Sequence, residues 1–325
     1  MNILVTGGLG FIGSNFLHYM MKKYSHYNFI NLDIMSYAGN IENVKDLASL
    51  PNYHYIKGDI CDEELVNSIV SGEKNPFSTI DVIVNFAAES HVDRSIKSPI
   101  DFVKTNMIGT EVLLEAARQY GVKKYIQIST DEVYGTVREG AFTEKTPLAP
   151  NSPYSASKAG ADMLVRSYYK TYGLQAVITR CSNNYGAFQY PEKLIPLMVI
   201  RALEDKKLPI YGDGQNIRDW IHVLDHCSAV DLVIHYGRAG EVYNIGSNNE
   251  QKNIDVARMI LSYVQKPDSL IEYVNDRPGH DRHYSIDSTK IQKELGWKPA
   301  YTFERGLKEA VDWYRNNKKW WESLD

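Results

Sequence analysis

Short apolar runs, separated by glycine-rich or amphipathic stretches, recur along the first part of the chain. Asn2 to Thr6, Phe29 to Leu32, Tyr53 to Lys57 and Asp81 to Phe86 are predicted strands. The last of these is almost entirely apolar, as expected of a strand that is buried on both faces of a parallel sheet. Ile100 to Tyr120 carries apolar residues at helical spacing instead, which predicts an amphipathic helix.

The same alternation continues with an apolar run from Tyr125 to Ile128, a helical stretch from Tyr154 to Tyr172 and a strand from Ala176 to Thr179. Strands that alternate with helices form parallel sheets with right-handed crossover connections. The predicted fold class is therefore α/β, with a doubly wound parallel sheet of the Rossmann type.

Three glycines, Gly7, Gly10 and Gly13, follow the first strand and open an apolar helix. Small residues there permit a tight turn, let backbone N–H groups approach a pyrophosphate and let the helix pack closely on the strand. Asp33 ends the second strand, where a carboxylate can accept hydrogen bonds from ribose hydroxyls and repel a 2′-phosphate. The combination predicts a dinucleotide site that prefers NAD to NADP.

After Gly186 the pattern becomes irregular. Asp225 to Tyr236 is a predicted helix that returns to the first sheet, and Glu241 to Ile245 is a predicted strand. We therefore expect an NAD-binding Rossmann domain over residues 1–186, with a contribution from residues 220–250. Residues 187–325 are expected to form mainly a smaller C-terminal substrate-binding domain.

Two hydroxyls and two carboxyls stand where the fifth strand should end, and they are Ser129, Thr130, Asp131 and Glu132. Ligands bind outside the carboxyl ends of strands in open parallel sheets, although Thr130 and Asp131 could instead cap a helix. Tyr154 and Lys158 are four residues apart and so share one helix face. A buried ammonium lowers the pKa of a nearby phenol, which makes the tyrosine a base. These groups together predict a hydride-transfer site.

Other polar and small residues also follow predicted strands. Asp59 could meet an adenine amino group or cap a helix. Ala87 and Ala88 would allow close approach by a cofactor, and Ser90 is placed to touch a ligand. The stretch 276–282 is dense in cations and turn formers, and it could bind a diphosphate or form surface ion pairs.

Composition narrows the class of protein. The chain has 325 residues, 43% of them hydrophobic, and a formal net charge of −4. Nucleic-acid binding is not expected, because it needs a basic face. Three scattered cysteines give neither a metal spacing nor a disulfide framework. The first residues do not resemble a signal peptide, and no run of about 18 apolar residues occurs, so we expect a cytoplasmic protein without membrane contact.

The chain resembles the extended short-chain dehydrogenase/reductase superfamily over essentially its whole length. The resemblance lies in the glycine turn, Asp33, Asp59, the Tyr154 and Lys158 pair and Asn-Asn-Tyr-Gly at 183–186. Within that superfamily three segments resemble the dTDP-glucose 4,6-dehydratase family. They are Thr-Asp-Glu at 130–132, Ala-Ala-Glu-Ser-His-Val-Asp-Arg-Ser at 87–95 and Arg-Pro-Gly-His-Asp at 277–281. This implies a homodimeric lyase that uses NAD and a nucleotide sugar in deoxysugar biosynthesis, for which rhamnose is one common destination.

The resemblance implies a reaction in three stages. Tyr154 takes the proton of the sugar 4-hydroxyl while C4 gives hydride to NAD, with Lys158 holding the nicotinamide ribose and Thr130 bonding the same oxygen. Glu132 then removes the C5 proton while a protonated Asp131 donates to the departing 6-hydroxyl. Hydride finally returns to C6 and a proton to C5, which gives dTDP-4-keto-6-deoxyglucose and regenerates the cofactor.

The resemblance also implies two sets of contacts, and no metal. The expected cofactor-binding residues are Gly7, Gly10, Phe11, Ile12, Gly13, Asp33, Asp59, Ile60, Ala87, Ala88, Thr105, Tyr154, Lys158 and Asn184. The expected substrate-binding residues are Ser90, Thr130, Asn183, Lys193, Leu194, Pro209, Tyr211, Arg218, Asn253, Asp276, Arg277 and His280.

Three alternatives stay open at this point. A UDP-sugar 4-epimerase or UDP-glucuronate decarboxylase shares the first oxidation but omits elimination, and Asp131 argues against both because neither needs a donor acid beside the base. A dehydratase acting on UDP-glucose is a second alternative, because the thymine methyl is read by pocket shape. A non-catalytic NAD-binding sensor is the third, and such a protein could lose Tyr154 or Lys158.

Overall fold

The computed structural model describes residues 1–137, 140–276 and 282–324. The strands within these ranges are β1 (Asn2–Thr6), β2 (Asn28–Asp33), β3 (Tyr53–Lys57), β4 (Val82–Asn85), β5 (Lys124–Thr130), β6 (Ala176–Cys181), β7 (Asn183–Tyr185), β8 (Leu208–Tyr211), β9 (Ile217–His222), β10 (Val242–Ile245), β11 (Glu250–Lys252) and β12 (Ile271–Val274). The α-helices are α1 (Phe11–Lys23), α2 (Glu63–Ser71), α3 (Val92–Lys97), α4 (Pro99–Val103), α5 (Gly109–Gln119), α6 (Pro153–Tyr172), α7 (Leu194–Leu203), α8 (Val223–Tyr236), α9 (Asn253–Val264), α10 (Thr289–Leu295), α11 (Phe303–Asn316) and α12 (Lys318–Glu322).

Seven strands form one parallel sheet in the order β10-β6-β5-β4-β1-β2-β3. The chain runs outward from β1 to β3 on one side and from β4 to β10 on the other, so the connection reverses between β1 and β4. Thr6 pairs with Asn85 across this point, and its hydroxyl donates to Asn85 Oδ1 at 2.6 Å. Ligands bind at such a reversal, outside the carboxyl ends of the strands. The predicted doubly wound α/β fold is confirmed.

Helices cover both faces of this sheet. On one face α1 and α8 bring in Phe16 and Val230, and on the other α2, α5 and α6 bring in Ile69, Leu113 and Val165. Burying each such side chain contributes about 1.5–3 kcal/mol, which explains why the central strands are continuous apolar runs.

The residues after β6 build a second layer beside the carboxyl ends of the large sheet. β7 and β11 flank β9, while β8 pairs with β12. Helices α7, α9 and α11 pack around Tyr185, Trp220 and Phe303. Between β9 and β11 the chain returns to the large sheet as α8 and β10, and β10 pairs with the outer edge of β6.

The predicted strands and helices are confirmed with shifts of one or two residues at their ends, with one exception. The stretch from Ile100 to Tyr120 is not one regular helix, because a π-helical turn at Lys104–Ile108 separates α4 from α5. The strands β7, β8, β9, β11 and β12 and the helices α2, α3 and α9 to α12 were not predicted. The division of the chain at residue 186 stays a prediction.

Two findings concern the described ranges as a whole. No helix in them has the length and apolar character needed to cross a bilayer. They also hold no group of three or more His, Cys, Asp or Glu side chains placed to bind a metal ion.

Candidate active site

The glycine turn between β1 and α1 forms one wall of a cleft. Gly7 has a φ of +71°, and a Cβ on it would lie 2.7 Å from the backbone nitrogen of Ala87. A Cβ on Gly13 would collide with the Gly7 carbonyl. Gly10 caps α1, and within the described residues no side chain caps this helix end and no acid occupies its first turn. The backbone N–H groups and the positive end of the helix dipole therefore suit a pyrophosphate.

Asp33 ties this turn to β2. Its Oδ2 accepts a hydrogen bond from Leu9 N at 2.9 Å, and its Oδ1 accepts one from Met35 N at 2.7 Å. Burial raises the pKa of Asp33, and these two N–H groups act in the opposite direction. The carboxyl is thus fixed in the cleft where the ribose hydroxyls of a dinucleotide would lie.

The cleft has a volume of about 400 Å³ and lies at the carboxyl ends of β1, β4, β5 and β6. The predicted site residues that line it are Gly7, Gly10, Phe11, Ile12, Gly13, Asp33, Asp59, Ile60, Ala87, Ala88, Ser90, Thr105, Thr130, Asp131, Glu132, Tyr154, Lys158, Asn183, Asn184 and Lys193. The structure thus brings together residues from widely separated segments of the chain.

Six predicted substrate contacts stand outside the cleft lining, and they are Leu194, Pro209, Tyr211, Arg218, Asn253 and Asp276. Arg218 is nevertheless buried, and its charge acts on Asp131. Arg277 and His280 lie outside the described residues. Sequence reasoning missed Cys181, which ends β6, and Ser182, which follows it, and the strand-end rule that identified Thr130 could have found both.

Local hydrogen bonds fix the backbone around two of the predicted cofactor contacts, Asp59 and Thr105. Asp59 accepts a hydrogen bond from Cys61 N at 2.9 Å, whereas Asp62 caps α2, so the helix-cap alternative for Asp59 is wrong. Thr105 lies in the π-helical turn. The side chain of Asn106 in the same turn accepts from Glu89 N at 2.9 Å and donates to Glu89 O at 3.0 Å, which fixes the backbone after β4.

The N-terminal half of α6 carries the phenol and the ammonium one turn apart on the same helix face. Tyr154 and Lys158 are buried, and Lys158 Nζ donates to Ile128 O at 2.6 Å. Burial lowers the pKa of Lys158, and the charge of Asp162 opposes this effect. Burial also raises the pKa of Tyr154 well above its ordinary value, with Glu132 adding to the rise. This differs from the expected lowering by Lys158, because the phenol is enclosed beside a carboxylate.

Thr130, Asp131 and Glu132 occupy the end of β5 and the 3-10 turn that follows it. Thr130 caps this turn by accepting from Glu132 N at 3.2 Å, so the capping interpretation holds for Thr130 alongside its place in the cleft. Asp131 is only 2% exposed. Burial raises its pKa well above the ordinary value, and the charges of Glu132 and Asp219 add to the rise. Asp131 is therefore a carboxyl that favours its protonated form.

Side chains from both sides meet across the mouth of the cleft. Tyr37 OH donates to Glu192 Oε1 at 2.9 Å, and the Arg94 guanidinium lies 3.4 Å from the centre of the Tyr37 ring. Lys193 Nζ donates to Ser90 O at 3.2 Å. These contacts join the loop after β2 and the segment after β4 to the segment before α7, whose Glu192 and Lys193 line the cleft.

Comparisons with known proteins agree with this geometry. The family model described as GDP-mannose 4,6 dehydratase matches residues 4–310. The chain is 49% identical over 328 residues to the dTDP-glucose 4,6-dehydratase of Streptomyces niveus, covering 100% of this chain and 96% of the relative.

Solved structures give the same result. The dTDP-glucose 4,6-dehydratase of Bacillus anthracis in complex with NAD matches with 55% identity and a TM-score of 0.93, covering 100% of both chains. The Streptomyces venezuelae enzyme of the same name, with NAD bound, matches with 46% identity and a TM-score of 0.96, also over 100% of both chains. A UDP-glucose 4-epimerase from Thermotoga maritima matches with a TM-score of 0.90 but only 32% identity, over 98% of this chain and 100% of that chain. The chain therefore belongs to the dTDP-glucose 4,6-dehydratase family, within the extended short-chain dehydrogenases/reductases.

Proposed function

We propose that the protein converts dTDP-glucose to dTDP-4-keto-6-deoxyglucose and water, with NAD held in the cleft and regenerated in each cycle. One observation carries the choice of reaction. Asp131 is a buried carboxyl with a strongly raised pKa, next to Glu132 and close to Tyr154. Elimination needs one group that accepts a proton and another that donates one, and neighbouring carboxyls with different environments meet that need.

The fit of the cleft to NAD is supported by its glycine turn, by the N-terminus of α1 and by the carboxyl of Asp33. The turn leaves no room for a Cβ at Gly7 or Gly13, as expected where backbone approaches a pyrophosphate. When bound there, NAD supplies the acceptor for the C4 hydride and the donor for C6.

In the oxidation, Tyr154 removes the proton of the 4-hydroxyl. Burial and the charge of Glu132 raise its pKa, so the phenolate needs a positive charge, and we assign that role to Lys158, one turn further along the same helix face. Thr130 hydrogen-bonds the phenol oxygen and acts to lower its pKa. Thr130 and Tyr154 thus hold the substrate oxygen between two hydroxyl groups.

In the elimination, Glu132 takes the C5 proton and Asp131 gives a proton to the 6-hydroxyl. Glu132 is more exposed than Asp131, so its ionised form is better solvated. Both residues lie in the 3-10 turn after β5, which is held by the hydrogen bond from Glu132 N to Thr130 Oγ1. One carboxylate and one carboxylic acid therefore face the C5–C6 bond from fixed positions.

The substrate nucleotide is expected to lie toward Ser90, Asn183 and Lys193, which line the cleft beyond Tyr154. A cation at Lys193 can pair with a diphosphate. Arg218 and the segment at 277–280 are proposed as the remaining diphosphate contacts. Cytoplasmic location and a homodimer complete the proposal.

The homodimer is supported by apolar side chains exposed on neighbouring helices. Ile100 on α4 is 56% exposed, Ile108 in the π-helical turn is 49% exposed and Met163 on α6 is 45% exposed. Clustered exposed apolar residues mark protein interaction surfaces. We propose that these helices pair with their copies in a four-helix bundle.

Mass spectrometry of the products tests the reaction. The purified protein is incubated without added reductant with dTDP-glucose and, separately, with UDP-glucose. Loss of one water from the dTDP sugar alone supports the proposal, and loss from both sugars would show a dehydratase without nucleotide preference. A C4 epimer of unchanged mass would favour the epimerase alternative, and NAD binding without turnover of either sugar would favour the sensor.

A further inference from the structure

A third ionisable side chain follows Tyr154 and Lys158 on the same face of α6. Asp162 comes four residues after Lys158, one further turn along the helix, and it is 0% exposed. It does not line the cleft. A buried carboxylate is costly unless charges or hydrogen bonds compensate it, so its neighbours should explain its presence.

Arg180 on β6 is the first of those neighbours. Its Nε donates to Asp162 Oδ2 at 2.9 Å, and the pair is almost completely buried. The guanidinium also donates to Tyr134 OH at 2.8 Å, and Tyr134 OH donates to Asn244 Oδ1 at 2.8 Å. Arg180 is therefore anchored on the side away from the cleft, and it holds Asp162 in one orientation.

Lys158 is the second neighbour. Burial of its ammonium disfavours the charged form, and Asp162 is the first charge that opposes this effect, ahead of Cys181. Burial raises the pKa of Asp162, and the charges of Arg180 and Lys158 act against that rise. Asp162 is not among the groups that act on Tyr154, whose environment is set by Glu132, Cys181, Asp131 and Thr130.

Lys158 and Arg180 are two buried cations, and Asp162 is the carboxylate whose charge acts on both. Without Asp162, both cations would lose that counter-charge, and Lys158 would give up its proton first because the pKa of lysine is lower than that of arginine.

We propose that Asp162 is a positioning residue whose buried carboxylate, anchored by Arg180, is the counter-ion that keeps the Lys158 ammonium charged and seated against Ile128 O. The carboxylate contacts neither substrate nor cofactor. It acts through Lys158. Its effect on the rate of C4 oxidation rests on the proposed function.

The first test needs no catalysis. Urea unfolding midpoints are measured for the full-length protein, Lys158→Met, Asp162→Asn and the double variant. If the two side chains form a pair, Lys158→Met lowers the midpoint more in the wild-type background than in the Asp162→Asn background. Equal shifts in both backgrounds would overturn the proposal, whether or not the protein turns out to be a dehydratase.

Asp225→Asn is the matched control. Asp225 is also buried, with 3% exposure, but it accepts hydrogen bonds from Ala300 N at 2.9 Å and Tyr301 N at 3.0 Å and lies on α8 rather than on α6 with Lys158. The cycle with Asp225→Asn should be additive. Should Asp162→Asn fail to fold, Arg180→Met is added so that both members of the buried pair are removed together, and the effect of Lys158→Met in that background is compared with its effect in the wild type.

The second test is the pH profile of C4 oxidation. Loss of activity at high pH reports the deprotonation of Lys158, so Asp162→Asn should move that limb to lower pH by about one to three units. Asp225→Asn should leave the limb in place. An unmoved limb in an active Asp162→Asn enzyme would contradict the proposal, whereas a wild-type enzyme that oxidises no sugar would refute the proposed function and leave the unfolding cycle to decide the role of Asp162.

Discussion

Replacing Asp131 with asparagine should separate the oxidation from the loss of water. Asparagine has nearly the same shape, but it has no acidic proton to give to the 6-hydroxyl. Tyr154 and Lys158 stand on α6 rather than on the turn of Asp131. Thr130 Oγ1 donates to Asp131 Oδ1 at 3.3 Å, and asparagine keeps an Oδ1 that can accept this bond, so the oxidation machinery keeps its geometry. The variant should therefore oxidise C4 and stop there.

The magnitude follows from the chemistry of the acid. A positioned general acid contributes typically 10²- to 10⁴-fold, which corresponds to about 3 to 5 kcal/mol of barrier height. We expect water loss to slow by about that factor in Asp131→Asn. Reduced cofactor should accumulate during a single turnover, because the hydride taken from C4 has no C6 acceptor.

Protein stability gives an independent readout with a definite sign. The pKa of Asp131 is raised in the folded protein, so the stability associated with its neutral form is fully present at acid pH, below the ordinary value of about 4. That stability is lost as the pH rises through the raised folded value. Asparagine does not ionise, so the unfolding midpoint of Asp131→Asn relative to wild type should rise with pH over that range.

The assay combines stopped-flow absorbance of the reduced cofactor with mass spectrometry of the quenched sugar. Glu132→Gln is the companion variant, and it should also stop at the keto sugar but without exchange of the C5 hydrogen for deuterium from solvent. Retained dehydration in Asp131→Asn at a rate near that of wild type would refute the assignment of Asp131 as the acid. A midpoint difference independent of pH would refute the argument that burial keeps it protonated.

Three further predictions follow from the geometry. Tyr154→Phe should lower C4 oxidation by about 10²- to 10⁴-fold with the fold unchanged by circular dichroism, and near-normal turnover would exclude the phenol as the base. Gly13→Ala should weaken NAD binding in calorimetry, because the added methyl meets the Gly7 carbonyl and must move the turn, at a cost of about 1–3 kcal/mol; unchanged affinity would show that the turn does not hold the pyrophosphate. Ile100→Glu should shift the sedimentation of the protein from dimer to monomer, while a monomeric wild type at working concentration would contradict the dimer itself.

The parts of the fold that could be predicted are those in which burial alone decides the structure. β4 and β5 are apolar runs because helices cover both faces of the sheet. β9 is also buried but contains Arg218 and Asp219, so its polar residues concealed a strand. The Arg218 guanidinium lies over the Tyr284 ring and Asp219 Oδ1 accepts a hydrogen bond from Asn249 N, and both partners are distant in sequence. α11 is different, because its buried residues recur at helical spacing and periodicity could have identified it.

In the candidate site, too, some features could be predicted from the sequence and others could not. Asp33 and Thr130 were found because they end predicted strands, and the cleft lies at those ends. The contact between Tyr37 and Glu192 gave no sequence signal, because it joins two loops that only the tertiary structure brings together. The raised pKa of Tyr154 also could not be anticipated, since it depends on how completely the phenol is enclosed.

Because β10 comes late in the chain, the large sheet stays incomplete for much of the protein's synthesis. During synthesis, β6 emerges with its outer edge unpaired, and the part of the sheet face that α8 covers stays exposed until Val230 and the rest of α8 arrive. Unpaired strand edges and uncovered apolar faces are what nascent chains aggregate through. The ribosome-bound chain therefore exposes an incomplete, aggregation-prone sheet until Ile245 has emerged. A stop codon placed after β7 would yield an insoluble fragment rather than a small nucleotide-binding protein.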